Sequence, residues 1–478
     1  MLRRTKIVTT LGPATDKEGV LEKIILAGAN VVRLNFSHGS ASEHRKRVVE
    51  VRELADKHER FVAVLGDLQG PKIRIARFAE GSINLEVDDT FILDADLEKD
   101  AGNQERVGID YPDLPSDCSP GDALLLDDGR LTLIVESIKD SEVHCRVEVG
   151  GVLSNNKGIN RRGGGLSAPA LTEKDIEDIK LAAEIDVDYL AVSFPRTVKD
   201  IDTTRKLLAE AHGHAGIVAK IERAEVVAKD EILDAVIRAS DAVMVARGDL
   251  GVEIGDAELV AVQKRIISHA LRLNKCVITA TQMMESMISS PIPTRAEVLD
   301  VANAVLDGTD AVMLSAETAV GDYPVKAVEA MARVINGAEK TPLMHKSRHR
   351  IHEKFKAIDE SIGLATMYIA NHLDGIGAIV ALTETGSTPL IMSRINSVLP
   401  IYAFSRHKKT QDKVALFRGV YPVPFDIDLI DNQQANRIVI EKLKHLDAVK
   451  IGDLIILTKG VTDNVHGGTN ALKVLHVS

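Results

Sequence analysis

A lysine and a glutamate stand two positions apart where an apolar run ends, in the stretch Gly216-Ile217-Val218-Ala219-Lys220-Ile221-Glu222. If this run is a β-strand, side chains at i and i+2 share one face, so the ammonium and the carboxylate point the same way. Unlike charges at the end of a buried strand are costly unless a ligand or a metal meets them. The run Met244-Val245-Ala246 also ends in charge, at Arg247 and Asp249. Together the two endings predict an active site.

The elements that would position these residues form a regular series of short apolar runs, most of them followed by a helix-patterned segment. The runs cover residues 6–10, 30–37, 61–67, 188–194, 217–222, 242–249, 276–282 and 311–315. About eight strands in this arrangement are typical of a (β/α)8 TIM barrel. A doubly wound open sheet is the alternative, but it would more naturally use five to seven strands with a Gly-rich first turn.

Two further regions depart from the barrel rhythm. Residues 71–167 alternate strands and turns, with runs at 82–87, 123–126, 131–135 and 143–149 and an Asp128-Gly129 hairpin signal. Residues 345–478 carry strand-like runs at 377–382, 400–404, 453–458 and 472–477, with helices between them. We therefore predict an α/β protein with a barrel catalytic domain (1–70 and 168–344), an inserted small β-barrel lid domain (71–167) and a C-terminal α/β regulatory domain (345–478). Gly163-Gly164-Gly165 is the expected hinge of the lid.

Composition narrows the class of protein. The chain has 478 residues, a net charge of -11, 3% aromatic residues and no tryptophan, so its cores must be built from Val, Ile, Leu, Ala and Met. The negative charge argues against nucleic acid or an anionic membrane as a partner. Cys118, Cys145 and Cys276 have no metal-binding spacing and are expected to be reduced thiols. Without a signal-like apolar N-terminus or a membrane-length apolar stretch, we expect a soluble, cytoplasmic protein.

The carboxyl ends of barrel strands line the catalytic mouth, and here those ends combine cations, acids and neutral hydrogen-bonding groups. The set is Arg33, Asn35, Ser37, Asp67, Lys220, Glu222, Arg247, Asp249 and Thr281. Carboxylates with no Cys or His beside them suit Mg²⁺, and cations facing that metal suit a ligand carrying phosphate and carboxylate. The alternative for any single residue is a structural ion pair. No P-loop motif occurs, so nucleotide phosphates would be held by metal and side chains, with Arg74 and Lys157 as candidates on the lid.

Several motifs together resemble the pyruvate kinase family, and the resemblance extends over essentially the whole chain. They are Asn35-Phe36-Ser37-His38-Gly39, Gly70-Pro71-Lys72-Ile73-Arg74, Lys220-Ile221-Glu222, Met244-Val245-Ala246-Arg247-Gly248-Asp249-Leu250-Gly251, Ala280-Thr281-Gln282-Met283-Met284-Glu285-Ser286-Met287 and Pro293-Thr294-Arg295-Ala296-Glu297. The two longest are highly specific. The chain is most similar to bacterial members activated by AMP or a sugar phosphate.

The resemblance implies a role for each residue of the set in transferring a phosphoryl group from phosphoenolpyruvate to ADP. Glu222 and Asp249 would hold Mg²⁺, which Mn²⁺ could replace. The turn at Ala246, Arg247 and Gly248, with Thr281, would seat the substrate carboxylate. The catalytic residues would be Lys220, Arg33 and Thr281. The residues in contact with the nucleotide would be Asn35, His38, Arg74 and Lys157. A homotetramer is also implied.

One departure from the family concerns potassium. Potassium-dependent members carry glutamate at the position of Lys72 and threonine at that of Leu68, whereas Asn35, Ser37 and Asp67 match the remaining ligands. A lysine ammonium could supply the missing positive charge, so we predict activity without K⁺. The alternative is that Lys72 points into solvent and K⁺ still binds.

A hydroxyl-rich turn precedes a helix in the C-terminal region. It comprises Thr383, Thr385, Gly386, Ser387 and Thr388, resembles the effector loop of the family and has Ser405-Arg406 and Gly467-Gly468-Thr469 as candidate companions. Helix N-termini bind phosphate well, so a phosphosugar or AMP effector is expected there. Plain helix capping is the alternative.

Two other functions remain open at this level. A barrel lyase acting on a pyruvate enolate would share the acidic, metal-binding mouth but has no need of the lid or of Arg74. A non-catalytic metabolite-sensing barrel would be expected to have lost Lys220 or Asp249, and both are present.

Overall fold

The computed structural model describes residues 2–345, 350, 352–426, 432–460 and 468–478. The chain begins with three strands and two helices: β1 (Lys6–Thr10), α1 (Val20–Ala27), β2 (Val31–Asn35), α2 (Ala41–Lys57) and β3 (Ala63–Asp67). A capping box starts α2, because the Ser40 hydroxyl accepts the Glu43 amide while the Glu43 carboxylate accepts the Ser40 amide. This fixes where the chain turns back after β2, directly beside the predicted site.

The segment after β3 is β-rich, as predicted, with one short helix. Its elements are β4 (Ser82–Leu85), β5 (Thr90–Asp94), β6 (Arg106–Gly108), α3 (Leu114–Asp117), β7 (Ala123–Leu126), β8 (Leu131–Lys139), β9 (Glu142–Val149), β10 (Gly151–Ser154) and β11 (Ile159–Arg161). They form a six-stranded sheet in the order β11-β7-β8-β9-β5-β6 and a pair β10-β4, where a small β-barrel was expected. The hairpin between β7 and β8 is confirmed; Asp127, Asp128 and Gly129 all have positive φ.

The remaining barrel elements alternate strands with helices. They are α4 (Glu173–Glu184), β12 (Tyr189–Val192), α5 (Val198–Glu210), β13 (Gly216–Ile221), α6 (Ala224–Val227), α7 (Asp230–Ala239), β14 (Ala242–Ala246), α8 (Arg247–Ile254), α9 (Asp256–Arg272), β15 (Cys276–Ala280), a 3₁₀ turn (Glu285–Ile288), α10 (Arg295–Asp307), β16 (Ala311–Leu314), α11 (Ala316–Ala319), α12 (Pro324–Glu339) and a 3₁₀ turn (Pro342–His345). Eight parallel strands close in the order β1-β16-β15-β14-β13-β12-β3-β2, which confirms the predicted barrel.

Six of the eight predicted barrel strands end earlier than their apolar runs suggest, and two of these endings reshape the barrel mouth. The run 242–249 leaves the sheet at Ala246, and Arg247 begins α8, so Asp249 lies in the first turn of a helix. The run 276–282 ends at Ala280, and Thr281 and Gln282 adopt φ values of 67° and 54°. In both places the backbone leaves the sheet at the barrel mouth, and the two segments contact each other: the Gly248 amide donates to Thr281 Oγ1, and the Arg247 guanidinium donates to the Thr281 carbonyl.

The C-terminal region is a separate mixed sheet flanked by helices. Its elements are α13 (Ile358–His372), β17 (Ile376–Leu382), α14 (Ser387–Ser393), β18 (Ile401–Ser405), α15 (Lys408–Val414), β19 (Val420–Pro424), α16 (Asn432–His445), β20 (Leu454–Gly460) and β21 (Thr469–His476). The order is β19-β18-β17-β20-β21, with β21 antiparallel. Strand β19 was not predicted, because Pro422 and Pro424 weaken its strand signal. An edge position tolerates their missing N–H groups.

The cores are aliphatic, as the composition predicted. One apolar cluster runs from barrel strand residues such as Val218 and Met244 to Phe417 near the start of β19, so barrel and C-terminal sheet share a packed boundary. A fully buried ion pair joins Arg394, after α14, to Asp310, before β16. All three cysteines are buried and free. Among the described residues, no helix is both long enough and apolar enough to cross a membrane.

Candidate active site

Asp67 links two cations of the predicted set at the mouth of the barrel. Its Oδ2 accepts a hydrogen bond from Arg33 Nε at 2.6 Å, and its Oδ1 lies 3.4 Å from Lys220 Nζ. Strands β2 and β3 pair Asn35 with Asp67, so adjacent strand ends bring these groups together. Asp67 is fully buried, and the two cations therefore compensate its charge.

Lys220 and Glu222 share one face of β13 and its extension, as their spacing predicts. Lys220 Nζ lies 2.9 Å from Glu222 Oε1 and donates to Ser193 Oγ at 2.7 Å. Glu222 Oε2 accepts the backbone N–H of Phe194 at 2.7 Å, which fixes the carboxylate against the end of β12. Glu222 is 1% exposed. The two residues form a buried ion pair in this structure.

Titration behaviour follows from this network. Although burial alone would lower the pKa of Lys220, the carboxylates of Asp67 and Glu222 raise it above its ordinary value. Burial would raise the pKa of Asp67, but Lys220 and Arg33 outweigh it and lower that pKa. Burial raises the pKa of Glu222; the charge of Asp249 adds to this rise and Lys220 opposes it. The two carboxylates of Glu222 and Asp249 repel each other, and a divalent cation bound between them would remove that repulsion.

The donor set fits Mg²⁺. Glu222 Oε1 is buried with Lys220 Nζ 2.9 Å away as its ion-pair partner, and the Asp249 carboxylate is 25% exposed and lines the cleft. Among the described residues, no group of three or more His, Cys, Asp or Glu side chains could hold a metal ion. Proteins usually bind Mg²⁺ through one or two carboxylates and leave its other coordination positions to water and substrate oxygens. Glu222 and Asp249 match that pattern.

The turn at residues 246–248 and Thr281 meet across strands β14 and β15. The backbone N–H of Gly248 donates to Thr281 Oγ1 at 2.8 Å, and Ala246 pairs with Ala280 in the sheet. The sequence suggested that the Arg247 side chain is one of three cations facing the metal. That expectation is wrong for the guanidinium, which is 8% exposed and donates to backbone carbonyls of the 280–282 turn.

Lys72 pairs with carboxylates that are not part of the predicted potassium locus. The carboxylates within 4.0 Å of its Nζ are those of Asp249, at 3.6 Å, and Asp128, at 3.9 Å. The potassium-locus residues do lie together, since Asn35 Oδ1 accepts the Ser37 amide at 3.2 Å and Asn35 pairs with Asp67. The Leu68 side chain belongs to the apolar core, and its carbonyl accepts the Ser193 hydroxyl at 2.7 Å. Lys72 therefore faces the predicted metal carboxylate Asp249, and its ammonium forms no ion pair with Asp67.

The residues predicted for the nucleotide lie on the inserted region and at the end of β2 with the loop that follows it. Arg74 and Lys157 belong to adjacent segments of the inserted region: Arg74 Nη1 donates to the Asn156 carbonyl at 3.0 Å, and Lys157 Nζ lies 2.7 Å from Asp127 Oδ1. His38 is exposed on the loop after β2. A cleft of about 470 Å³ separates the β7–β8 hairpin from α8. Its lining includes Lys72, Asp128, Arg162, Asp249 and Gln282.

The predicted effector residues also come together. Thr383 Oγ1 accepts the Gly386 amide at 2.9 Å, and Thr388 Oγ1 lies 2.6 Å from Thr469 Oγ1. Ser405 is the last residue of β18 and Arg406 follows it, with Arg406 Nε 3.3 Å from Glu384 Oε2. Of the predicted companions, Gly467 lies outside the described residues.

Two residues of the site were missed at the sequence level. Ser193 bridges Lys220 and the Leu68 carbonyl, and its place at the end of the run 188–194 was the signal that could have identified it. Arg162 lines the cleft from the lid side. It directly precedes the glycine run at 163–165, and that position was the only signal for it in the sequence.

The chain matches two family models and several relatives over nearly its whole length. Residues 2–328 match the family described as "Pyruvate kinase, barrel domain", and residues 360–475 match "Pyruvate kinase, alpha/beta domain". The chain is 58% identical over 476 residues to "Pyruvate kinase II" of Salmonella typhimurium, covering 100% of this chain and 99% of the relative. It is also 58% identical over 459 residues to "Pyruvate kinase" of Haemophilus influenzae, with 96% of each chain covered.

Proposed function

The chain belongs to the pyruvate kinase family, a family of phosphotransferases, and we propose that its reaction moves the phosphoryl group of phosphoenolpyruvate to ADP at the mouth of the barrel around Lys220. The observation that carries this proposal is the network Arg33–Asp67–Lys220–Glu222, in which two cations and two acids meet at the ends of adjacent strands. Phosphoryl transfer depends on positioning and charge neutralisation, and this network supplies both.

Glu222 and Asp249 are the proposed holders of Mg²⁺. When bound, Mg²⁺ would neutralise charge on the phosphoryl group and on the enolate oxygen left behind. Lys220 Nζ is presented by Asp67, Glu222 and Ser193 and stays protonated, because the two carboxylates raise its pKa. It is therefore available as a fixed positive charge for the transferring group, and Arg33 provides a second one.

Thr281 and the 246–248 backbone are proposed to seat the substrate carboxylate. The Thr281 hydroxyl accepts the Gly248 amide and donates to the Ala280 carbonyl at 2.6 Å, so its position is set from two sides. After phosphoryl transfer the enolate carbon must be protonated. We assign that proton to a water relay beside Thr281, since the acids of the network are engaged with cations.

The inserted β region is proposed as a lid over this mouth, with Arg74, Lys157, His38 and Asn35 contacting ADP. Closure would bring the β7–β8 hairpin toward α8 across the present cleft, excluding water from the phosphoryl group. Activation by a phosphosugar or AMP at residues 383–388 and 405–406, a homotetrameric assembly and a cytoplasmic location complete the proposal.

A coupled assay tests the central claim. Purified protein is supplied with phosphoenolpyruvate, ADP and Mg²⁺, and pyruvate formation is followed through lactate dehydrogenase. We expect activity that depends on all three components. Pyruvate formation that persists without ADP would contradict phosphoryl transfer to nucleotide. The same preparation offered oxaloacetate or other pyruvate adducts distinguishes a lyase, whose activity would leave phosphoenolpyruvate untouched.

A further inference from the structure

We infer that the Arg247 guanidinium is a positioning group that holds Thr281 in a strained turn, with Asp300 fixing its far end. This inference rests on the proposed role of Thr281 at the substrate. The inference gives a positioning role to the Arg247 side chain and to Asp300 on α10. The sequence pattern did not indicate this role for either residue.

Strain at Thr281 is the first observation. Thr281 has a φ of 67° and Gln282 a φ of 54°, both in the left-handed region. A β-branched residue there is an outlier, and such conformations cost about 1–3 kcal/mol each unless their surroundings impose them. The turn therefore needs contacts that select it over relaxed alternatives.

Arg247 supplies those contacts. Its Nη2 donates to the carbonyls of Thr281 at 2.6 Å and Gln282 at 3.0 Å, and its Nε lies 3.2 Å from the Thr281 carbonyl and 3.3 Å from that of Ala280. Three successive carbonyls thus converge on one planar guanidinium. A residue with ordinary strand dihedrals at 281 would turn its carbonyl away from this fork.

Asp300 completes the arrangement from α10. Its Oδ1 accepts a hydrogen bond from Arg247 Nη1 at 2.7 Å, and it is the carboxylate that pairs with this guanidinium. Arg247 is 8% exposed in its side chain, so this partner compensates a charge that solvent hardly reaches. Because the fork is rigid and fixed at both ends, the Thr281 hydroxyl is held beside the Gly248 amide.

The test compares Arg247→Lys, Arg247→Met and Asp300→Asn with the parent in two measurements. The first is kcat and KM for phosphoenolpyruvate. The second is exchange of the pyruvate methyl protons with deuterated water, followed by NMR with Mg²⁺ and ATP present, which reports the proton-transfer half of the reaction. A displaced Thr281 should lower kcat and the exchange rate in parallel, by about 100-fold for Arg247→Met, with a smaller change in KM. Asp300→Asn should give a milder loss of the same kind.

Rescue separates positioning from general stability. Glycine adopts positive φ freely, so Gln282→Gly should relax part of the turn. Arg247→Met should then cost a smaller factor in kcat in the Gln282→Gly background than in the parent. Equal factors in both backgrounds would overturn the inference.

Two other outcomes also oppose it. A raised KM with unchanged kcat, insensitive to Asp300→Asn, would mean that Arg247 binds substrate directly. Unchanged kcat and exchange in a folded Arg247→Met would mean that the contacts are dispensable. If Arg247→Met fails to fold, Asp300→Asn decides the question alone. Failure of the proposed function is distinguishable, because it would appear as an inactive parent protein.

Discussion

Lys220 Nζ lies 2.9 Å from Glu222 Oε1 and 3.4 Å from Asp67 Oδ1, so one ammonium compensates two buried carboxylates. The same ammonium is the group proposed to meet the phosphoryl oxygens. Under the proposed function, Mg²⁺ would share Glu222 with Lys220, so the pair would be both a structural element and two parts of a ligand site.

Replacing Lys220 by methionine separates these two roles. We expect kcat to fall by about 10²–10³-fold or more, because a fixed charge on the transferring group is lost. Asp67 and Glu222 would be left undercompensated, so the free energy of unfolding should fall by about 3–5 kcal/mol. Mn²⁺ affinity, measured by calorimetry, should not decrease, since the competitor for Glu222 is removed. Lys229→Met, at an exposed position, is the matched control. A loss of metal affinity would show that the pair is only structural.

Activity without potassium is the second prediction. Lys72 already places a positive charge 3.6 Å from Asp249, so initial rates in sodium-free tetramethylammonium buffer should be close to those with added KCl. Lys72→Glu should make the rate depend on K⁺, because it adds negative charge beside the metal carboxylate. Lys72→Met removes the positive charge without adding a negative one, so its rate should depend on K⁺ less than the rate of Lys72→Glu does. Strong stimulation of the parent protein by KCl would contradict the prediction.

The glycine run at 163–165 allows a matched test of the lid. The Gly165 amide donates to Glu225 Oε1 at 2.6 Å, and a Cβ on Gly164 would lie 2.4 Å from Glu225 Oε2. Gly163 has a similar φ but open space around it. Gly164→Ala should therefore raise KM for ADP more than Gly163→Ala does, since both strain the backbone but only the first displaces Glu225. Equal effects would show that this contact does not set the position of the lid.

Lys6 predicts a pH dependence of stability at the boundary between barrel and C-terminal sheet. Its Nζ donates to the Val420 carbonyl at 2.6 Å, and burial, with the charge of Arg3, lowers the pKa of Lys6 to about 7. The unfolded chain keeps an ordinary lysine pKa of about 10.4, so between about pH 7 and pH 10 it binds a proton that the folded protein lacks. Stability should rise with pH across this window.

The measurement compares unfolding temperatures of the parent and Lys6→Met near about pH 7 and about pH 9. As pH rises, the unfolding temperature of the parent should increase relative to that of Lys6→Met. Lys206→Met, on an exposed face of α5, should show no such relative change. A difference that is constant with pH would mean that Lys6 stays protonated in the fold.

The effector turn gives the last prediction. Thr383 Oγ1 caps the turn through the Gly386 amide, so Thr383→Ala should weaken both the turn and activation by a phosphosugar or AMP. Ser387, half-buried at the start of α14, offers a hydroxyl free of that cap role. Ser387→Ala should reduce activation while the maximal rate is retained. Unchanged activation in both variants would favour plain helix capping.

The sequence by itself determined the barrel and much of the site. Apolar runs of strand length recur eight times, and closing such a sheet places every carboxyl end at one mouth, so Arg33, Asp67, Lys220 and Glu222 had to meet. Strand periodicity alone put Lys220 and Glu222 on the same face. Edge strand β19 was not predicted, because its two prolines interrupt the apolar strand pattern.

Only the tertiary structure decided which partner each charge finds. Lys72 and Arg247 carry the same sign as Lys220, and nothing local indicates that one faces Asp249 while the other clasps the carbonyls of residues 280–282. Those choices depend on where loops from distant strands approach one another, and on the left-handed turn at Thr281 that aims three carbonyls at one guanidinium. Residue type fixed the available chemistry, while long-range packing fixed which of these groups face substrate and which hold the site in place.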